Sequence, residues 1–223
     1  MYSTIVAFFQ EGGVFMYPIL IVLALGVAIA IERWLFLTMT TAKNKALWSA
    51  VTPHIRSGNL SGAMQVTQKS KAAIAQIMSY GLNRVRTARN REDVEQAMEE
   101  SLMEVMPRLE KRTHYLATFA NIATLLGLLG TIIGLITAFT AVASANPAEK
   151  ADLLSASISV AMNTTAFGLI VAIPLLLMHT LRQTKTTEII DSLEMASVKF
   201  LNAITERATA SAPEGRPAQR TAG

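Results

Sequence analysis

Long apolar runs without charge dominate the pattern of this chain. Three stretches contain no Asp, Glu, Lys or Arg: residues 12–31, 113–148 and 153–181, which are 20, 36 and 29 residues long. A helix needs about 20 mostly apolar residues to cross a bilayer, and soluble helices rarely run so long without charge. The pattern therefore predicts an all-α integral membrane protein with three transmembrane helices.

Helical stripes adjoin the second and third apolar runs. Before the second run, apolar residues recur at intervals of 4, 4, 3 and 4, at Val94, Met98, Leu102, Val105 and Leu109. After the third run the intervals are 4, 3, 4 and 4, at Ile189, Leu193, Ala196, Phe200 and Ile204. This spacing marks one face of a helix. We therefore expect two of the transmembrane helices to extend far into the cytoplasm, the second as one helix over residues 92–141.

These patterns divide the chain into eight predicted segments. Pro53, Gly58-Asn59 and Gly81 are expected to separate helices in the cytoplasmic part. The segments are an outer interfacial helix (1–13), transmembrane helix 1 (14–38), a cytoplasmic helical segment (39–113), transmembrane helix 2 (114–142), a short periplasmic hairpin (143–152), transmembrane helix 3 (153–181), a cytoplasmic helix (182–207) and a disordered tail (208–223).

The distribution of charge predicts the orientation of the spans. If the chain starts outside, nineteen of its twenty Lys and Arg residues lie on one side, and only Lys150 lies on the other. The positive-inside rule makes the basic side the cytoplasm, so the N-terminus is predicted to be periplasmic and the C-terminus cytoplasmic. The basic clusters are then expected to lie near anionic lipids rather than to bind nucleic acid.

Composition excludes several kinds of chemistry. The chain has no cysteine, and its three histidines, at positions 54, 114 and 179, have no metal-binding spacing. It also lacks the glycine-rich nucleotide motifs and the G-x-S-x-G motif of serine hydrolases. We therefore expect no enzyme activity, no metal site and no cofactor other than a driving ion.

Small residues form a seam along each of the last two spans. Such seams allow helices to approach closely in lipid, where no hydrophobic effect drives them together. The seams could serve only to pack spans two and three as a hairpin. The predicted helix-packing residues are Ala120, Thr124, Gly127, Gly134 and Ala138 in span two, and Ala161, Gly168 and Ala172 in span three.

Polar residues near mid-span are candidates for an ion pathway. Thr131 and Thr165 lie on the two seams, and Asn163 and Thr164 are beside the second. A Thr hydroxyl in a membrane helix most often bonds back to the carbonyl four residues earlier, which would give it no further role. Alternatively, hydroxyls that face a common cavity could hydrate or orient an ion-carrying group. Asn163 should face protein or water rather than lipid.

The central part of every span lacks a titratable residue. A proton relay needs such a group at depth in the membrane. Either the protein does not move protons, or a partner supplies the carboxylate.

Two motifs resemble the MotA/TolQ/ExbB proton-channel family, nearest its three-span TolQ/ExbB branch. They are ATLLGLLGTIIGLITAF at 123–139 and AMNTTAFGLIVAIP at 161–174. The chain departs from the family at Val160, where many members carry Glu, and around Met178-His179, where a Tyr-Asn pair is often seen. The four-span MotA branch is a poorer match.

The resemblance implies a pentamer in the bacterial inner membrane, with spans two and three around a pore. Inside the pore it places a dimeric, single-span ExbD/TolR-like partner, whose membrane aspartate carries the proton past the threonines at 131 and 165. Such a stator-like subunit converts proton motive force into mechanical work across the envelope, with a TonB/TolA-like force-transmitting protein as a further partner. The sequence does not distinguish H⁺ from Na⁺ as the driving ion.

Two other functions remain open from the residues alone. The chain could be a non-conducting membrane scaffold that assembles single-span partners through its small seams. A small-solute transporter is a weaker alternative, because the chain has three spans, no inverted repeat and no midplane charge.

Overall fold

The computed structural model describes Phe8 and residues 12–88 and 90–210, with side chains up to Glu206. These residues form long α-helices and contain no β-strand. The helices, in chain order, are α1 (Met16–Ser57), α2 (Leu60–Gln68), α3 (Ala73–Val85), α4 (Arg91–Glu110), α5 (Thr113–Ser144) and α6 (Lys150–Ala210).

Three of the helical stretches are long and apolar enough to cross a membrane. They are Met16–Ser57, Arg91–Ser144 and Lys150–Glu206. The last two contain the predicted spans 114–142 and 153–181, and the first covers the predicted span 14–38 from Met16 onward. Large apolar side chains project outward from them, among them Leu125, Phe139 and Leu177, which are 62–63% exposed. Such surfaces suit lipid or other protein chains and not water. The prediction of an all-α, multi-pass membrane protein is confirmed.

The helices form two compact units, and the first carries the apolar spans. This membrane unit comprises the described parts of Met1–Phe36 and Glu110–Lys185. Its core combines α1, α5 and α6 through mostly small and medium-sized side chains, listed as Ile19, Val22, Ala30, Leu116, Ala120, Ala123, Val171, Ala172 and Leu175. The short connection between Ser144 and Lys150 joins two antiparallel spans, as the predicted hairpin requires.

The second unit, here called the extension unit, comprises the described parts of Leu37–Leu109 and Thr186–Gly223. The α4 stripe from Val94 to Leu109 is buried, and so are Ile189, Leu193, Ala196 and Phe200 of the α6 stripe. Both stripes therefore form a core of large side chains. At the surface of this unit, Arg91 donates to Asn202 at 2.9 Å, and Gln76 donates to Glu104 at 2.9 Å.

The predicted single helix over residues 92–141 is interrupted. α4 ends at Glu110 and α5 begins at Thr113, and between them Arg112 has a φ of 67° in the left-handed region. A residue in this conformation ends a helix because it cannot continue the right-handed hydrogen-bond pattern. Pro107, which lacks an N–H group, already weakens the last turn of α4.

Two of the three predicted separators lie inside helices. Pro53 is in α1, where its missing N–H removes one hydrogen bond near the helix end. Gly81 is in α3, where it makes room for Met98 and Phe200. Only Gly58-Asn59 separates helices, because Gly58 has a φ of 76° and the Asn59 side chain caps α2. The other helices in this part of the chain end at Gln68 and at Val85.

The predicted terminal segments are described only in part. Of the outer interfacial helix (1–13), only Phe8, Gly12 and Gly13 are among the described residues. α6 continues to Ala210, so the first three residues of the predicted disordered tail are helical. The rest of that tail lies outside the described residues.

Candidate ion-pathway site

Spans two and three approach each other at glycine. A methyl group at Gly168 would lie 2.7 Å from the carbonyl oxygen of Ala123 and 3.1 Å from Cα of Gly127. A methyl group at Gly127 would lie 3.3 Å from Cα of Gly168. The backbones of α5 and α6 are therefore in direct contact, which only small residues permit.

The structure brings Thr131 and Thr165 together one turn along this contact. Their hydroxyl groups are hydrogen-bonded to each other, and either can be the donor. Both also reach the carbonyl of Gly127, at 3.2 Å from Thr131 and 3.0 Å from Thr165. Thr131 reaches the carbonyl of Ala161 as well, at 3.2 Å. Each hydroxyl has one proton and several acceptors, so its donor bond can change partner without any change in charge.

This hydroxyl pair is half-buried, which makes it the part of the contact that a further group could reach. The glycine carbonyl between the hydroxyls already accepts the back-bond of Thr131 and the cross-helix bond of Thr165. A carboxyl group beside the pair could accept a hydrogen bond when ionised and donate one when protonated. The arrangement can thus hold a titrating group but cannot itself titrate.

Thr164 faces another part of the unit. It is 2% exposed, and its hydroxyl lies 2.7 Å from the carbonyl of Gly12 and 2.9 Å from that of Val160. A methyl group at Gly13 would lie 3.3 Å from the side chain of Val160, so this residue is also close to the turn. Thr164 therefore fixes the turn before α1, and the structure does not bring it to the Thr131–Thr165 pair.

The remaining predicted residues are placed in three ways. Asn163 is half-buried, and its side chain makes no hydrogen bond to another described residue. Thr124 is exposed and bonds back to the Ala120 carbonyl at 3.1 Å, outside the α5–α6 contact. Gly134 is half-buried against Ala161, while the others of the predicted seams are buried: Ala120, Gly127, Ala138, Ala161, Gly168 and Ala172.

Sequence reasoning missed two seam residues, Ala123 and Gly130. Ala123 is fully buried against Gly168, and Gly130 is buried against Thr164 and Phe15. The signal was present, because Ala120, Ala123, Gly127, Gly130 and Gly134 also recur at helical spacing. Small residues thus form two overlapping faces of α5. The predicted seam followed the face that includes Thr124 and Thr131, and it left out the face that includes Ala123 and Gly130.

An ion-pair cluster near the predicted cytoplasmic end of the spans was also missed. Arg33 is 4% exposed and donates two hydrogen bonds to Glu32, at 3.0 and 2.9 Å. Its guanidinium group lies 4.6 Å from the ring centre of Phe36, and Arg112 lies 3.6 Å from Glu32. These charges are at the border of the span. Within the described residues, no group of three His, Cys, Asp or Glu side chains is placed to hold a metal ion.

The fold and this site define a class: a multi-pass membrane protein whose spans hold hydroxyl groups at a close helix contact. The family model of the MotA/TolQ/ExbB proton channel family matches residues 69–195, which include both motifs. The chain therefore belongs to the MotA/TolQ/ExbB proton channel family, and it is a subunit of the proton-channel type that transduces energy.

Individual relatives agree with this assignment. The chain is 29% identical over 196 residues to a protein of Methanothermobacter thermautotrophicus named as a biopolymer transport protein ExbB homolog; the match covers 87% of this chain and 68% of the relative. A Synechocystis protein named as biopolymer transport protein ExbB-like 3 is 29% identical over 75% of this chain and 80% of its own length. The biopolymer transport protein exbB1 of Vibrio cholerae is 47% identical over a shorter stretch of 53 residues, which covers 24% of this chain and 23% of that protein.

Proposed function

We propose that this protein is the stator-like subunit of a proton-driven motor in a bacterial inner membrane. It works with a single-span, ExbD/TolR-like partner whose membrane carboxyl group carries the ion. The observation that carries this proposal is the paired, half-buried hydroxyls of Thr131 and Thr165 at the contact of two spans.

The proposed mechanism assigns the proton to the partner and the orientation of its carboxyl group to this chain. An ionised carboxylate accepts a hydrogen bond from one threonine hydroxyl, and a protonated carboxyl donates one. The hydroxyl pair can follow that change, because each proton can move between the Gly127 carbonyl and another acceptor. One elementary charge that crosses 100 mV releases about 2.3 kcal/mol, which is enough to bias such a rearrangement.

The subunit arrangement is part of the same proposal. A homopentamer encloses two partner helices, and its N-terminus is periplasmic while its C-terminus is cytoplasmic. Movement of one part against the other is passed to a TonB/TolA-like protein and energises transport or the envelope. Protons are the proposed driving ion, with sodium as the alternative.

The test removes one hydroxyl at a time. Thr131→Val and Thr165→Val keep the shape of the side chain and lose the hydroxyl group. Each should abolish ion flux through the complex with its partner, reconstituted in liposomes, while native mass spectrometry still finds the complex assembled. Thr137→Val is the matched control, because the exposed Thr137 bonds only back to Ile133 on the same helix. Normal flux in both site variants would contradict the proposal.

One observation favours the alternative of a non-conducting scaffold. The hydroxyls of both site threonines already find protein acceptors, so they need no further role than packing. A scaffold predicts that Gly127→Leu or Gly168→Leu breaks assembly while the unaltered complex conducts no ion at any driving force. Flux in the unaltered complex excludes it.

A further inference from the structure

A cavity in the extension unit lies among α1, α3 and α6. Its volume is about 310 Å³, and none of its nine lining residues is acidic. Two of them, Lys45 and Lys199, are basic. Glu194, an acidic neighbour on α6, lines a different groove. Small-molecule sites have volumes of roughly 300–1,000 Å³, so this cavity has room for a small charged group.

One wall of the cavity contains a buried amide group. Asn44 lines the cavity, is 6% exposed and accepts a hydrogen bond from the backbone N–H of Ile74 at 3.3 Å. Its Nδ2 group has no hydrogen-bond partner among the described residues. A buried donor without a partner has lost its hydrogen bond to water and gained none in return, so such a group calls for an acceptor.

The start of α3 points to the charge of that acceptor. Ile74, which also lines the cavity, is in the first turn of this 13-residue helix, and the residue before the helix, Ala72, provides no side-chain cap. The N-terminus of a helix carries partial positive charge and attracts anions. Together with the two lysines and the free amide, it makes the cavity attractive to an anionic oxygen.

We propose that this cavity binds a phosphate-bearing anion. The phosphate group sits among Lys45, Lys199 and Nδ2 of Asn44, and the apolar part of the ligand packs on Trp48 and Met195. A phospholipid headgroup and a free phosphate compound share this chemistry. The site is separate from the threonine pair and does not depend on ion conduction.

The chain provides its own reporter for a binding measurement. Its only two tryptophans are Trp34 and Trp48, and Trp48 lines the cavity. In a Trp34→Phe background, the delipidated protein in mild detergent is titrated with phosphatidylglycerol, with phosphatidylcholine, or with glycerol phosphate, and Trp48 fluorescence is followed. Saturable binding of phosphatidylglycerol alone assigns the site to a lipid. Equal binding of glycerol phosphate assigns it to a soluble anion.

Variants then test the geometry. A hydrogen bond to a charged group contributes about 1.5–3 kcal/mol, so Lys45→Gln and Lys199→Gln should each weaken binding about tenfold or more. Asn44→Asp keeps the acceptor for the N–H of Ile74 but replaces the donor with a negative charge, so it should abolish binding without loss of helix content. Lys43→Gln is the matched control, because Lys43 is exposed two residues away and does not line the cavity.

Three results would overturn the proposal. One is the absence of saturable binding by phosphatidylglycerol and by glycerol phosphate. Another is a loss in Lys43→Gln as large as in Lys45→Gln. The last is that a second copy of the chain covers the cavity in the assembled complex. In that case Trp48 fluorescence would change on assembly but would not respond to phosphatidylglycerol or to glycerol phosphate.

Discussion

Gly168 in the membrane unit and Gly81 in the extension unit leave equally little room for a methyl group, but the neighbouring atoms differ in how easily they can move. A methyl group at either glycine would lie 2.7 Å from a neighbouring atom. At Gly168 that atom is the backbone carbonyl oxygen of Ala123, whereas at Gly81 it is the sulfur of Met98. A backbone carbonyl inside a helix cannot move alone, but a methionine side chain can rotate away.

The difference reflects the solvent of each unit. In lipid, burial of apolar side chains gives no advantage, so the helices gain stability by close backbone approach at small residues. Outside the lipid, large apolar side chains gain free energy when they are buried. The core of the extension unit accordingly contains Phe200, Met98 and Leu193, each no more than 1% exposed.

The largest difference between the two units is expected when one aromatic residue is truncated in each. Phe200→Ala should lower the free energy of unfolding by about 3–5 kcal/mol, because it opens a cavity in the core of the extension unit. Phe139→Ala should change it by less than about 0.5 kcal/mol, because that ring is 63% exposed. Denaturation by SDS, followed by circular dichroism, measures both. A large loss at Phe139 would mean that this ring packs against another protein chain.

An intermediate effect is expected when alanine replaces each of the two glycines. Gly168→Ala should cost about 1–3 kcal/mol, because α5 and α6 must move apart. Gly81→Ala should cost less, because the crowding is against the side chains of Met98 and Phe200 rather than against backbone, and because the helix propensity of alanine exceeds that of glycine by about 1 kcal/mol. The same SDS titration compares the two. Equal losses would remove the distinction between backbone and side-chain packing.

The smallest effect is expected at the start of α5. Arg112 and Arg108 are both exposed and each pairs with a glutamate, at 3.6 and 3.3 Å. Arg112→Gly should leave stability unchanged or raise it by up to about 1 kcal/mol, because glycine adopts a positive φ without strain. Arg108→Gly should lower it by about 1 kcal/mol, because Arg108 is within α4. A greater loss at position 112 would show that its bond to Glu32 outweighs the strain.

The spans and the buried stripes could be predicted because each depends on local periodicity. Val94, Met98 and Leu102 are buried as their spacing required. The break at Arg112 was missed because a left-handed residue at a helix end is usually a glycine. Here that residue is an arginine, and nothing in the neighbouring sequence indicates its conformation. Gly81 was misread for the opposite reason: its small size serves a contact with Phe200, more than 100 residues away in sequence.

The candidate site was predictable in part. The seam spacing placed Thr131 and Thr165 on facing helices, and their hydroxyls meet in the structure. Their role in ion conduction remains a prediction. The different surroundings of Thr164 were not predictable, because its partner is the carbonyl of Gly12, 152 residues earlier. Only the register of α6 against the turn before α1 decides which of two adjacent threonines faces which neighbour.

That bond between Thr164 and Gly12 has a consequence for how the protein is made. Synthesis proceeds from the N-terminus, so the Gly12 carbonyl reaches the membrane long before its hydrogen-bond donor exists. This bond to the turn before α1 can form only after α5 has been made and α6 has entered. The third span thus completes the attachment of the first. Insertion of α6 is therefore the step that brings the contacts of the newly made membrane unit to completion.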